Sequence, residues 1–290
     1  MNNRLFAAIV VVYNFDERTL LMNIESYIHE INHLYIIDNS DINNCITPDS
    51  FGIYGDKCTY ICLGCNKGIA YALNYGCTMA LNDNYSWVFT FDQDSKIEQG
   101  YIYAMLLWLS KHEVIDIAIV APIVNLQTHC TIETGTNEFS FVDSVLASGN
   151  LVNLSAYSAI SGFKDELFID WVDIDFCYRL RLRNYRIVVL KNCILNHQLG
   201  NTKEYRLAGK HLFYSTNHTP IRYYYKSRNA LLLAKDYWHC WPLKSMGFLK
   251  SVLTDYFKIL FCESNVCQKV SFIHKGICDA FRGRTGVFHN

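Results

Sequence analysis

Four short apolar runs in the first third of the chain each close on a polar residue. Ala7-Ala-Ile-Val-Val-Val12 stops at Tyr13-Asn14, and Leu34-Tyr-Ile-Ile37 at Asp38. Thr59-Tyr-Ile-Cys-Leu63 leads to Asn66-Lys-Gly68, and Trp87-Val-Phe-Thr-Phe91 stops at Asp92. The first run is continuous and β-branched, as a parallel strand buried on both faces is. Between the runs lie two helical patterns. Thr19 to Glu30 sets Leu20, Ile24, Tyr27 and Ile28 along one side, and Ile69 to Asn82 sets Ala70, Leu73, Cys77 and Ala80 on a stripe. Strand, helix, strand, strand, helix, strand predicts an α/β fold with a doubly wound, mostly parallel sheet. In such a sheet the carboxyl ends of the strands share an edge, and ligands bind along it. Tyr13, Asn14, Asp38, Asn66 and Asp92 therefore converge.

The fourth run continues as Asp92-Gln-Asp-Ser95. If the chain stays extended past Phe91, the carboxylates of Asp92 and Asp94 point to one side. Paired hard oxygen ligands suit Mg²⁺ or Mn²⁺, and such a cation can neutralise a diphosphate. Asp is also a common turn residue, so the stretch alone reads equally well as a strand-to-loop turn.

Downstream, Ile97 to Lys111 reads as a helix and Ile115 to Pro122 as a strand. Thr128 to Phe141 is polar, a hairpin or loop over the site. Ser148-Gly-Asn150 is a tight turn before Leu151-Val152, and Ala156 to Ile160 a short helix. Asp170-Trp-Val-Asp-Ile-Asp175 opens a helix to about Arg183, its acids in the first turn and Arg179, Arg181 and Arg183 in the last, as the helix dipole favours. Arg186 to Leu190 is a further strand, and His197 follows. From about residue 216 the character changes to amphipathic helical segments at 223–237, 243–262 and 266–281, where Lys mixes with Trp, Tyr and Phe. The expected division is a main domain over 1–215 and a helical C-terminal appendage over 216–290. That appendage reads equally well as a membrane-surface element or a packed helical cap.

Charge narrows the function. Lys and Arg number 26 against 27 Asp and Glu, which gives no general affinity for nucleic acid. The 12 Cys are scattered and no signal peptide precedes them, as expected of reduced thiols in a cytoplasmic protein. No apolar run reads as a transmembrane helix. Cys58, Cys62 and Cys65 have the spacing of a radical-SAM iron–sulfur motif, a remote alternative because Thr59 to Leu63 reads as a strand. A nucleotidyltransferase would carry a Gly-rich phosphate loop near the first strand, and Val10-Val-Val-Tyr-Asn14 has none. A non-catalytic sugar-binding subunit on the same fold is the third class.

Taken in order, Val11-Val-Tyr-Asn14, Ile36-Ile-Asp-Asn-Ser40, Asn66-Lys-Gly-Ile-Ala-Tyr-Ala-Leu-Asn74, Phe91-Asp-Gln-Asp-Ser95, Asp170-Trp-Val-Asp-Ile-Asp-Phe-Cys-Tyr-Arg179, His197 and Arg222-Tyr-Tyr-Tyr-Lys-Ser-Arg-Asn229 resemble the family 2 inverting glycosyltransferases of GT-A fold. The Asp-Gln-Asp-Ser form is most similar to bacterial rhamnosyltransferases of cell-surface polysaccharide synthesis. The resemblance implies a Rossmann-like mixed sheet flanked by helices. It places Tyr13, Asn14, Asp38, Asn66, Gly68 and Asp92 around the nucleotide, with Asp38 accepting from the base imide. It places Asp92, Asp94 and His197 at a Mg²⁺ or Mn²⁺ ion, and Asp173 as the general base. The position before the base is usually acidic in the family and is Val172 here, which leaves Asp175 and Asp170 as rivals. Trp171, Arg222, Arg228 and Asn229 fall on the acceptor or diphosphate side. The implied donor is dTDP-L-rhamnose, with a UDP-hexose or UDP-galactofuranose as the alternative. The implied acceptor is a lipid-linked oligosaccharide of O-antigen or capsule assembly, met by an enzyme peripheral to the inner face of the bacterial plasma membrane.

Overall fold

A computed structural model describes residues 6–41, 54–126, 138–197, 203–207, 210–215 and 217–289. The expected alternation holds through the first half: β1 (Phe6–Val12), α1 (Glu17–Glu25), β2 (Leu34–Asp38), β3 (Cys58–Cys62), α2 (Ile69–Asn82) and β4 (Trp87–Asp92). Then come α3 (Tyr101–Lys111), β5 (Ile117–Leu126), β6 (Phe139–Val142), β7 (Asn150–Asn153), α4 (Leu154–Ala159), α5 (Val172–Leu182) and β8 (Arg186–His197). The last part holds β9 (Lys203–Leu207), β10 (Lys210–Ser215), α6 (Pro220–Tyr237), α7 (Pro242–Cys262) and α8 (Val266–Phe281).

Strands β1 to β8 form an eight-stranded sheet in the order β3-β2-β1-β4-β7-β5-β8-β6. β1 runs parallel to β2 and β4, and β2 parallel to β3. Val12 lies level with Asp38, Asp38 with Cys62, and Val11 with Asp92, so the strand ends do share an edge. β7 is the exception among its neighbours. It runs antiparallel between β4 and β5, with Asn150 opposite Thr90. The alternating strand faces feed one large core, in which Val10, Val12, Phe89 and Phe91 meet Leu20, Ile24 and Tyr27. The Tyr27 and Phe91 rings stack at 4.4 Å.

The chain divides into two compact units, one of residues 1–164 and 173–198, the other of residues 165–172 and 199–290. The sequence reading divides at 215/216. The second unit starts earlier and recruits the separate segment 165–172. Within it, α6 packs on α8 so closely that a Cβ on Gly276 would lie 2.5 Å from the Tyr224 carbonyl oxygen. Lys269 is buried there, paired with Glu263 at 2.7 Å and donating to Asn217 at 2.6 Å. Among the described residues, no helix is long and apolar enough to cross a membrane.

Three differences from the sequence reading have local causes. β8 runs on to His197 because Ile194 to His197 pair with Ile123 to Leu126 beyond a register shift. The β9–β10 pair goes unanticipated because Lys203, Glu204 and Arg206 make the first strand's sequence strongly charged. Only Phe139–Val142 of the polar segment is described as a strand, pairing antiparallel with β8, and 127–137 lie outside the described residues.

Candidate active site

The sheet edge is built as a polar lattice. Asn14 ends β1 in a left-handed conformation, φ 44°, which Asn tolerates. Its N–H donates to Ser40 Oγ at 2.7 Å, and the Tyr13 N–H donates to Gln93 Oε1 at 2.7 Å. The Tyr13 hydroxyl donates to Asp41 Oδ2 at 2.9 Å, and burial with that carboxylate pushes the phenol pKa up. Asp38 is fully buried at the end of β2. One of its oxygens accepts from the Tyr60 hydroxyl and the other from the Ser40 N–H at 2.9 Å. A carboxylate has about four acceptor positions, so these two bonds leave capacity for a third partner.

Asn39 and Asn66 extend the lattice. Asn39 Nδ2 donates to Asn66 Oδ1 at 3.1 Å, and the Lys67 N–H to Asn39 Oδ1 at 2.7 Å. The Asn66 N–H donates to Asp41 Oδ1 at 3.1 Å. Gly68 begins α2 with φ 88°, a backbone that disfavours any side chain, and its N–H donates to Asn66 Oδ1 at 3.0 Å. No side chain caps α2. The positive end of a helix with free N–H groups is a natural phosphate seat.

Asp92 to Ser95 form a turn closed by the Ser95 N–H on the Asp92 carbonyl at 3.0 Å. The chain is therefore not extended past Phe91, and the same-side argument for Asp92 and Asp94 does not apply. A turn holds the two acids near each other instead. Asp92 is half-buried and Asp94 exposed. The Asp92 N–H is shared between Ser95 Oγ at 3.0 Å and Ser148 Oγ at 3.2 Å, and the two hydroxyls bond at 2.6 Å. Among the described residues no three His, Cys, Asp or Glu side chains gather as a metal site. Two carboxylates on a turn still fit a Mg²⁺-type ion, which commonly takes one or two protein carboxylates and completes its shell with phosphate oxygens and water. His197 ends β8, but its side chain lies outside the described residues. The cysteine alternative loses its geometry. Cys58 is buried in β3, its thiol pushed up to about 12 by burial, while Cys62 and Cys65 are exposed.

Asp173 lies beside the same sheet, at β4. It sits half-buried in the first turn of α5, its Oδ1 accepting the Ile174 N–H at 2.9 Å. It lines a small cavity with Thr90, Ala147, Asn150, Phe163 and Cys177. Thr90 is two residues before Asp92 on β4, about 7 Å along a strand. The Asn150 Oδ1 atom is buried in this group without a hydrogen-bond partner. The rival Asp175 is fully buried and ion-paired, at 2.7 Å to Arg179 Nε and 3.1 Å to Lys164 Nζ. Asp170 is engaged as well, at 2.6 Å and 3.3 Å from the Arg222 guanidinium. Of the three acids, Asp173 lines the cavity beside β4.

Of the four residues expected on the acceptor or diphosphate side, Arg228 and Asn229 turn inward in the second unit, while Trp171 and Arg222 are half-buried. Arg228 is fully buried and donates to the carbonyls of Gly286, Glu166 and Leu167. Asn229, also fully buried, donates to Leu167, Ile169 and Asp170. The Trp171 indole donates to the Lys226 carbonyl at 3.0 Å and meets Phe248 edge-on at 5.1 Å. Arg222 is committed to Asp170. Arg228 and Asn229 are therefore a clamp on residues 166–170, because burial and carbonyl partners consume the polar atoms that a ligand would need. The sequence reading also missed Gln93, Ser95 and Ser148, which fix the acid turn; the Ser148-Gly-Asn150 turn was the only signal for the last.

The sequence model of Glycosyl transferase family 2 matches residues 7–143. The dTDP-rhamnosyl transferase RfbF of Shigella flexneri is 28% identical over 304 residues, covering 99% of this chain and 98% of that protein. Among solved structures, GalNAc-T7 with UDP, GalNAc and Mn²⁺ superposes with a TM-score of 0.62 at 12% identity, covering 96% of this chain and 56% of that one. Staphylococcus aureus TarS 1–349 with UDP-GlcNAc gives 0.57 at 15% identity, covering 95% and 81%. These two likenesses are of fold: a mixed, mostly parallel sheet of GT-A type with flanking helices.

Proposed function

We infer that this chain, a family 2 glycosyltransferase through its residues 7–143, moves L-rhamnose from dTDP-L-rhamnose to a saccharide acceptor with inversion. The donor assignment is supported by the full-length similarity to a dTDP-rhamnosyl transferase. The observation that carries the mechanism is the cavity shared by Asp173 and Thr90, which sets one carboxylate beside the strand that ends in the Asp92–Asp94 turn.

The donor lies along the polar edge. Asp38 accepts from the imide N–H of the base, and Tyr13 and Asn14 flank the nucleoside. Asn66 and Gly68 bring the N-terminus of α2 to the diphosphate. Asp92 and Asp94, with His197, would hold a Mg²⁺ or Mn²⁺ ion, which when bound neutralises the departing diphosphate. Asp173 takes the proton of an acceptor hydroxyl as that oxygen bonds to the anomeric carbon. The bond to the diphosphate breaks on the opposite face, and the nucleoside diphosphate leaves with both electrons. General-base assistance of this kind contributes about 10²–10⁴-fold.

The acceptor in this reading is a lipid-linked saccharide of O-antigen, capsule or related polysaccharide assembly, met at the cytoplasmic face of the plasma membrane. A thermal-shift screen of dTDP-rhamnose against UDP-hexoses and UDP-galactofuranose, with and without Mg²⁺ or Mn²⁺, tests the donor. A ligand at 100 times its Kd stabilises the fold by about 2.7 kcal/mol. Stabilisation by UDP-sugars alone would remove the rhamnosyl assignment and keep the family.

A further inference from the structure

Helix α7 is apolar on two opposite faces. Ser245, Phe248, Val252 and Ile259 form its buried face. Leu243, Met246, Leu253, Phe257, Leu260 and Phe261 are exposed, from 55% to 82%. At 3.6 residues per turn these six fall in a sector of about 100° on the side away from the buried one. The helix has 21 residues, so the sector runs for about 30 Å.

Charge identifies what such a face meets. The one acid in α7, Asp255, is largely buried and paired with Lys226 at 2.7 Å, so the exposed sector carries no negative charge. Lys250 lies within the sector, and Lys258 lies beside one edge of it. The Lys244 ammonium sits 4.8 Å from the centre of the Trp241 ring at the start of the helix, and Trp238 just before is exposed. The asymmetry extends well beyond the helix. Residues 199–290 hold fourteen Lys and Arg against five Asp and Glu, although the whole chain is near neutral. A second copy of the chain is a poor occupant, because a self-complementary contact would set lysine against lysine. An apolar stripe edged by Lys and Trp, on a helix unable to span, matches a bilayer interface with anionic headgroups.

We propose that α7 lies in the plane of an anionic lipid surface, with Leu253, Phe257 and their neighbours in the acyl boundary and the lysines at the headgroups. This deepens the reading of a lipid-linked acceptor by naming the element and the lipid chemistry. The surface argument itself does not use the donor.

Co-sedimentation with vesicles tests it, using phosphatidylcholine alone and phosphatidylcholine with phosphatidylglycerol. The expected result is binding only to the anionic vesicles, weakening as salt rises. Leu253→Glu/Phe257→Glu should lower vesicle binding by about tenfold or more, since the stripe supplies the apolar contact, and Lys250→Glu should lower it by a smaller factor. Both variants should keep the wild-type far-ultraviolet spectrum. Failure of the wild type to bind anionic vesicles overturns the proposal. So does undiminished binding by the double variant, or a wild-type dimer that the double variant dissolves. A missing dTDP-rhamnose thermal shift alongside intact vesicle binding would instead overturn the donor reading, so the two failures are distinguishable.

Discussion

The side-chain amide of Asn229 donates to the carbonyl oxygen of Asp170 at 3.1 Å, three residues before Asp173. The same amide holds Leu167 and Ile169, each at 2.8 Å. It thus grips a segment in which Phe168, Asp170 and Trp171 all have positive φ, at 65°, 63° and 66°. Non-glycine residues in that region cost about 1–3 kcal/mol each and persist where surrounding contacts over-determine them. In sequence the strained segment leads directly into α5, whose first turn carries Asp173.

Asn229→Ala should therefore lower kcat while leaving the donor-induced thermal shift near the wild-type value. Three carbonyls lose a donor, although Leu167 keeps Arg228, and each group left unsatisfied costs about 1–3 kcal/mol, so the midpoint of chemical denaturation should fall too. Arg228→Lys should behave similarly, because one ammonium cannot reproduce a planar fork reaching three carbonyls. Steady-state kinetics with urea titration reads both effects, and normal turnover in either variant would dismiss the clamp.

Asp173→Asn and Asp175→Asn should fail in opposite ways. The first should lose transfer by about 10²-fold or more with an unchanged melting temperature and unchanged donor binding. The second strands Lys164 and Arg179 beside a neutral amide, and breaking a buried pair of this kind typically costs about 3–5 kcal/mol. A stable but inactive Asp175→Asn would move the base to that residue.

Stability should carry a mark from His218. Burial, and then the Arg222 and Lys226 cations, depress its pKa from the ordinary 6.5 to about 4. The neutral form belongs to the folded state, so the unfolded chain takes up the proton first as pH falls. The contribution is complete above pH about 6.5 and is lost progressively between about 6.5 and 4. The difference in melting temperature between wild type and His218→Gln should narrow across that window. A difference constant from pH 7 to pH 4 would contradict the assignment.

Gly276→Ala should destabilise the helical unit. The new methyl would press on the Tyr224 carbonyl oxygen and on Ser227 Oγ, and backbone cannot swing aside as a side chain can. Overpacking of this type costs about 1–3 kcal/mol. Gly247→Ala is the control, since a Cβ there meets nothing within 4 Å. Differential scanning calorimetry of the two should show a lower transition only for the first.

The polar sheet edge was legible because its signals are local. Val10 to Val12 or Phe89 to Phe91 read as strand without any partner, and a polar residue at each end marks the edge. Asp173 was singled out only through the resemblance, since nothing in Val172-Asp173-Ile174-Asp175 separates the cavity-lining acid from the fully buried, salt-bridged one. That distinction depends on Lys164 and Arg179 arriving from elsewhere in the chain. The burial of Arg228-Asn229 was hidden for a related reason: two polar residues on a helix suggest a surface, and their carbonyl partners lie about sixty residues away in sequence. The direction of β7 could not be read at all, because Leu151-Val152 is equally apolar forwards and backwards.

That direction has a consequence of its own. A parallel strand presents its last residues at the edge where ligands bind, but an antiparallel one presents its first. β7 therefore delivers Ser148, Gly149 and Asn150 to the Asp92 turn, with the Gly149 N–H on the Thr90 carbonyl at 2.7 Å and Ser148 on the Asp92 N–H. The loop entering this strand, rather than the one leaving it, borders this polar edge. Insertions and substitutions can accumulate ahead of Ser148 without touching the register of β1, β2 and β4. The fold thus separates two parts: a parallel frame of β1, β2 and β4 whose register backbone pairing fixes, and an entry loop ahead of Ser148 that stands outside that ladder.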